Sequence, residues 1–206
     1  MTASDRQAHW QTVYQTKGEQ QFSWSQQEPE PSLSLIEEFA GGPQASIIDV
    51  GGGASRLVDA LRRRGYRAIT VLDLSRAALG AAKLRLGGDA AQVRWIAADI
   101  TQWQGPAAFD IWHDRAAFHF LIEAADREAY LERLRTGVKG GGHAIIATFA
   151  PDGPQTCSGL AVSRYDPASL SKEVGPAFEL INHRRHRHTT PWGVVQSFQF
   201  SVLQRR

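Results

Sequence analysis

Cysteine is nearly absent: Cys157 stands alone in 206 residues, so no internal disulfide framework can form and a reducing compartment, the cytoplasm by default, is expected. No apolar run approaches the roughly 20 residues that a bilayer-spanning helix needs. The stretch from Met1 to Gln20 is polar and unlike a secretory leader, so no membrane partner is expected. An excess of one charge is lacking too, with 23 basic against 21 acidic residues, and nothing global calls for a nucleic acid or an acidic surface. Internal repeats and low-complexity tracts are missing. What remains is 42% hydrophobic content, enough for one buried α/β core and a single domain over residues 1–206.

The chain is organised around Ile47-Ile48-Asp49-Val50-Gly51-Gly52-Gly53-Ala54-Ser55. A β-branched run ending in an acid, then glycines, then a helix-compatible segment reads as a buried strand, a tight turn and a helix start. Glycine permits positive φ and lets a polar ligand come close to the main chain. The N–H groups at the following helix start favour anionic or polar groups. A dinucleotide fingerprint requires Gly-x-Gly-x-x-Gly; Gly51 and Gly53 fit it, but Arg56 occupies the third position, which counts against a nicotinamide cofactor.

Two further strands repeat the pattern. Ala68 to Asp73 ends in an acid 24 residues after Asp49, where a carboxylate beside the crevice accepts hydrogen bonds from both ribose hydroxyls of an adenosine group. The alternative role of Asp73 is to cap the helix that follows at Ser75. Val93 to Ile100 carries Asp99, for which a turn or cap role stays equally open. Phe109 to Trp112 forms a fourth strand leading into His113-Asp114-Arg115. Residues 123–138 follow as a helix, and Gly140-Gly141-Gly142 turns into a fifth strand over 143–149. Beyond it comes a turn-rich loop over 150–159, a helix over 166–174 capped by Asp166 with Pro167 at its first position, and two strand-like runs joined by a hairpin at 189–193.

Upstream of the core, Trp10, Val13 and Tyr14 suit a short amphipathic helix, and Phe22-Ser23-Trp24-Ser25 follows. Aromatics this early need something to cover, so residues 1–31 read as a strap packed on the outside, a lid over the cleft, or both. Ser32 or Ser34 is expected to cap the next helix, Ser34 and Glu37 having capping-box spacing. His183-Arg184-Arg185-His186-Arg187-His188 is the densest charge feature. It reads foremost as protection of an exposed sheet edge, next as a basic docking surface; two imidazoles on one strand face are too few for a metal site, and none is expected.

Asp49-x-Gly51-x-Gly53, Asp73, Asp99 and the glycine turn before the fifth strand together resemble the class I S-adenosylmethionine (SAM) methyltransferases, over about residues 30–205. The resemblance implies a Rossmann-like, doubly wound seven-stranded sheet, mostly parallel with one antiparallel strand and helices on both faces. It implies SAM as cofactor, with Trp24, Asp49, Gly51, Gly53, Asp73, Leu74, Asp99 and Ile100 as its binding residues. Asp99 would meet the adenine amino group and Ile100 would pack on the ring. Directly after the fourth strand, Asp114, His113 or His119 would orient or deprotonate the methyl acceptor, while Tyr14, Phe22 and Arg115 would contact it. The N-terminal aromatics and His113-Asp114-Arg115 also resemble, loosely, a subgroup that includes protein-lysine methyltransferases. A small-molecule acceptor is favoured over a protein lysine, because a compact chain with an aromatic strap suits an enclosed pocket. A nucleotide-cofactor oxidoreductase and a non-catalytic SAM-binding module rank behind both. Cys157 reads as incidental.

Overall fold

The computed structural model describes residues 2–18, 21–105 and 109–206. Seven strands form one sheet in the order β3-β2-β1-β4-β5-β9-β8: β1 is Ile47–Val50, β2 Ile69–Asp73, β3 Arg94–Ala97, β4 Phe109–Arg115, β5 Val138–Phe149, β8 Phe178–Thr189 and β9 Val195–Arg205. Pairing is parallel from β3 through β5, and β9 runs antiparallel to both its neighbours. The sheet is therefore doubly wound with one reversed member. Two short strands, β6 (Thr156–Cys157) and β7 (Leu160–Ala161), make a separate hairpin in the loop after β5.

Central strands are covered on both faces, and their composition follows: β1 and β2 are buried along their whole length. Alternate residues feed two cores. Ile47 and Ile111 pack with helices α2 (Ser32–Phe39) and α3 (Leu57–Arg63), whereas Ile48, Val50 and Trp112 pack with α5 (Ala124–Gly137) and α6 (Pro167–Val174). The N-terminal helix α1 (Ala3–Thr16) and α4 (Arg76–Leu86) contact each other. Among the described residues no helix is long and apolar enough to cross a membrane.

Local expectations hold unevenly. Asp166 caps α6 in a capping box with Pro167 at its start. The cap expected for α2 is different: Pro31 holds the cap position without a side-chain bond, and Ser34 lies inside the helix, where its hydroxyl donates to the Pro31 carbonyl. The glycines 140–142 do not precede the fifth strand but lie within it. The ladder jumps there, from Phe109 opposite Val138 to Ile111 opposite His143, and Gly141 takes the positive φ of 77° that this irregularity requires. Strand β8 lies at the sheet edge. Its Arg184 and Arg185 are tied to Glu38 and Asp152, while His188 is buried and donates from Nε2 to the Ser23 carbonyl. Among the described residues no group of three or more potential metal ligands occurs.

Candidate functional site

Strands β1, β2 and β4 end at one edge of the sheet, where their loops part around a cavity of about 900 Å3 counted out to its mouth. Val50 and Gly51, Leu72 to Leu74, Ala98 to Ile100, and Arg115 to Ala117 form its base. Trp10 and Tyr14 of α1, with Trp24, cover one side; Phe120, Phe149, Cys157, Gln196 and Phe198 close another. Of the N-terminal aromatics, Trp10, Tyr14 and Trp24 thus line the cavity. Phe22 departs from expectation, being 4% exposed and stacked behind Trp24 at 4.9 Å, off the main cavity wall.

All three glycines of the first turn are required, for different reasons. Gly51 has φ 69°, and a Cβ there would come 2.8 Å from that of Ala117. Gly53 has φ 41°, and a Cβ would meet Asp73 Oδ2 at 2.8 Å and Tyr14 Oη at 3.0 Å. Gly52 has no such backbone demand; a Cβ there would strike the Asp49 carboxylate and approach Val71 Cγ1 to 2.9 Å. The main chain is therefore bare where it faces the cavity and tightly backed where it does not.

Asp49 supplies that backing, which corrects its expected place on the cavity wall. Its Oδ1 lies 2.7 Å from His113 Nδ1, and His113 Nε2 lies 2.9 Å from Ser32 Oγ. The carboxylate accepts from Nδ1–H, and in that tautomer Nε2 accepts from the serine hydroxyl. All three residues are buried and none lines the cavity. The chain Asp49-His113-Ser32 joins β1 and β4 to the start of α2, beneath the glycine turn.

Asp114 and His119 likewise stand behind the wall. Asp114 accepts the Ala117 N–H at 2.8 Å, the Phe118 N–H at 3.0 Å and the Tyr130 hydroxyl at 2.7 Å, which makes it the brace of the turn after β4. Burial pushes its carboxyl up to about 6 against the pull of these donors. Tyr130 in turn accepts Trp112 Nε1–H at 2.9 Å. His119 is fully buried between Phe120 and Phe149. Burial, reinforced by the Arg115 charge, pushes its imidazole down to about 3, so it is neutral near pH 7. None of the three residues expected to meet an acceptor reaches the cavity. Asp114 braces the turn after β4, His113 joins Asp49 to Ser32, and His119 packs between two rings.

The acids of β2 and β3 do reach it. Asp73 Oδ1 accepts the Ser75 N–H at 2.7 Å, so its capping role and its cavity position coexist. Burial pushes its carboxyl up to about 7, opposed by the Ser75 and Gly53 N–H groups and aided by the Asp49 charge. Asp99 Oδ2 pairs with Arg6 at 2.8 Å, while Oδ1 accepts from the Thr101 N–H and hydroxyl at 2.9 and 2.8 Å. Any ligand bond to Asp99 must be an additional one on an oxygen already accepting. Arg6 also pairs with Asp126, fastening α1 across this end of the cleft.

Arg115 lines the opposite end. Its Nη1 donates to the Trp24 carbonyl at 2.9 Å and its guanidinium lies 5.1 Å from the Phe198 ring centroid. Cys157, expected to be incidental, is a cavity-wall residue whose thiol burial pushes up in pKa, in keeping with packing and not with a nucleophile. Arg6, Ser32, Gln196 and Phe198 were not legible as site residues. Only Gln196 and Phe198 had a usable signal, sharing one face at i, i+2 of a strand; the others become neighbours through tertiary contacts alone.

Chemically, the cavity offers a carboxylate beside a bare turn for a hydroxyl-bearing ligand, apolar walls for a flat ring, and an aromatic chamber next to a cation. Residues 47–142 match the family model described as a methyltransferase domain. No curated protein matches the chain significantly. Among solved structures, one described under conversion of a disulfide bond into a thioacetal group during echinomycin biosynthesis has TM-score 0.76 at 19% identity, covering 97% of this chain and 92% of that one. The 1,6-didemethyltoxoflavin-N1-methyltransferase of Burkholderia thailandensis, solved with its substrate and S-adenosylhomocysteine (SAH), has TM-score 0.71 at 18% identity, covering 100% and 91%. A SAM-dependent methyltransferase of Anabaena variabilis has TM-score 0.77 at 14% identity, covering 99% and 95%. At these identities the likeness is one of fold.

Proposed function

We propose that this chain, whose residues 47–142 match a methyltransferase-domain model, is a class I SAM-dependent enzyme that methylates a small molecule held inside the aromatic cavity. The observation that carries this reading is the enclosure of the chamber beyond Arg115 by Trp10 and Trp24 on one side and Phe149, Cys157 and Phe198 on the other. A lysine on a folded partner would need an open groove to admit its backbone.

The residues present fit the cofactor. A carboxylate that is buried yet faces the cavity suits a pair of ribose hydroxyls, and Asp73 provides it. Leu74 and Ile100 would pack on an adenine with Asp99 at its edge, and Gly51 would leave the main chain open to the amino-acid portion. Tyr14 would cover the bound cofactor, and Trp24 would wall the acceptor chamber beside it. When bound, SAM supplies a sulfonium methyl and a neutral thioether leaving group, so alignment and exclusion of water are what the protein must contribute.

Asp114 then acts as a positioning residue for the wall that meets the acceptor. The turn that Asp114 braces includes Ala116, held at φ 68°, and Ala117, a strained backbone of the kind that needs support from its surroundings. At the acceptor end the polar side chains are Ser23, Arg115, Cys157 and Gln196, none of them a base near pH 7, so the acceptor is one that arrives as a nucleophile. Tritiated-methyl transfer from SAM into a lysate separated by size tests the reading. Label is expected in the small-molecule fraction; label confined to protein would overturn it.

A further inference from the structure

Arg115 is a cation whose main hydrogen-bonding edge has nothing to bond. Its Nη1 is engaged by the Trp24 carbonyl, but Nε and Nη2 are out of contact with water and have no partner. No carboxylate pairs with it among the described residues, although the side chain lies over the Phe198 ring within an otherwise apolar chamber. Leaving a buried charge in this state is costly unless a ligand completes it. Nε and Nη2 form the side-on fork of a guanidinium, the edge that matches a carboxylate with two parallel hydrogen bonds. Gln196 Oε1, on the same wall, is a second shielded polar atom without a partner.

We propose that the methyl acceptor is an aromatic molecule bearing a carboxylate or a comparable planar anion, which the Nε/Nη2 edge of Arg115 holds while Trp10, Trp24, Phe120 and Phe198 enclose its ring. The proposal rests on the small-acceptor reading above. Burial also pushes the guanidinium down to about 10, so it stays charged at neutral pH and retains its demand for an anion. The carboxylate of the cofactor's methionine portion is the competing source of the same chemistry. Position favours the acceptor: Arg115 ends β4, two strands from Asp73 on β2, about 10 Å at ~4.8 Å per strand, and its guanidinium lies over the Phe198 ring of β9, on the other side of β4 from Asp73.

Calorimetry on the protein saturated with SAH, using 2-naphthoate and 2-naphthamide as matched probes, separates the sources. The acid is expected to bind at least about tenfold more tightly than the amide. Arg115→Met, or Arg115→Gln should the apolar variant not fold, is expected to abolish that preference while leaving SAH affinity within about twofold. Equal affinity for acid and amide, or no binding of either, would overturn the proposal. So would a tenfold or greater loss of SAH affinity in the variant, which would assign Arg115 to the cofactor instead. Label transferred to neutral small molecules in the lysate would sink this inference and spare the reading it rests on, whereas label in protein alone would sink that reading.

Discussion

The two ends of the cavity solve opposite electrostatic problems in opposite ways. At the β2 and β3 end, carboxylates are brought out of water and mostly satisfied by the protein: Asp99 by Arg6 and Thr101, Asp73 by the Ser75 N–H. At the β4 and β9 end, a guanidinium is brought out of water and left with two donors unused. A charge with internal partners holds its shape whether or not ligand is present. A charge without them stores a requirement that only a ligand meets, so the first end is built for firm, uniform holding and the second for discrimination.

The contrast can be broken most severely at the turn between the two ends. Gly52→Ala should drive a methyl group against Asp49 and Val71, costing about 1–3 kcal/mol of overpacking and lowering the melting temperature by roughly 2–12 °C. SAH affinity should fall about a hundredfold with it, since the turn cannot keep its place. A variant that melts and binds like the parent would show that Asp49 does not back the turn.

Asp73→Asn tests the acid end alone. With a carboxyl at about 7 in the free protein, the carboxylate that hydroxyl donors prefer is only partly formed at neutral pH. SAH should therefore bind more tightly as pH rises through about 7. The asparagine variant should bind roughly thirtyfold more weakly at pH 8 and lose that pH dependence. The linkage for folding has the other sign. A carboxyl raised in the folded state favours that state when protonated, so its contribution is present below pH 4 and is lost as pH rises toward about 7. The free variant should consequently be no less stable than the parent at pH 8. A parallel pH profile for both proteins in SAH titrations would remove Asp73 from the site.

Between the ends, Tyr130→Phe deletes the hydroxyl that donates to Asp114 and accepts from Trp112. A loss of about 1–2 kcal/mol, or roughly 2–8 °C in melting temperature, is expected, with kcat kept within about threefold because the brace is indirect. A hundredfold fall in kcat without loss of stability would return Asp114 to a direct part in the chemistry. The smallest effect belongs to the acceptor end. Trp24→Leu leaves the carbonyl that holds Arg115 but removes an aromatic wall, so KM for the acceptor should rise about threefold to tenfold with SAH affinity unchanged. An equal rise in the SAH dissociation constant would place Trp24 over the cofactor instead.

Legibility followed locality. Strand-turn-helix units were readable because alternating burial, terminal acids and glycines are neighbours in sequence, and Asp73, Leu74, Asp99 and Ile100 accordingly do line the cavity. His113, Asp114 and His119 misled for the same reason. A polar run after a strand has one appearance whether its side chains point toward a ligand or toward a buried partner, and Ser32 and Tyr130, which decide the matter, are distant in the chain. Phe22 was on the right segment and the wrong layer, behind Trp24.

From the order of its residues alone this protein is committed to a doubly wound sheet and to a glycine turn flanked by acids, since periodicity, turn chemistry and acid spacing act over short stretches of backbone. Tertiary structure alone decided which polar groups find partners. It satisfied Asp49, Asp114 and Asp99 from remote segments and left one edge of Arg115 buried without a partner. That outcome depends on burial and hydrogen-bond geometry among elements far apart in the chain, which no local pattern encodes.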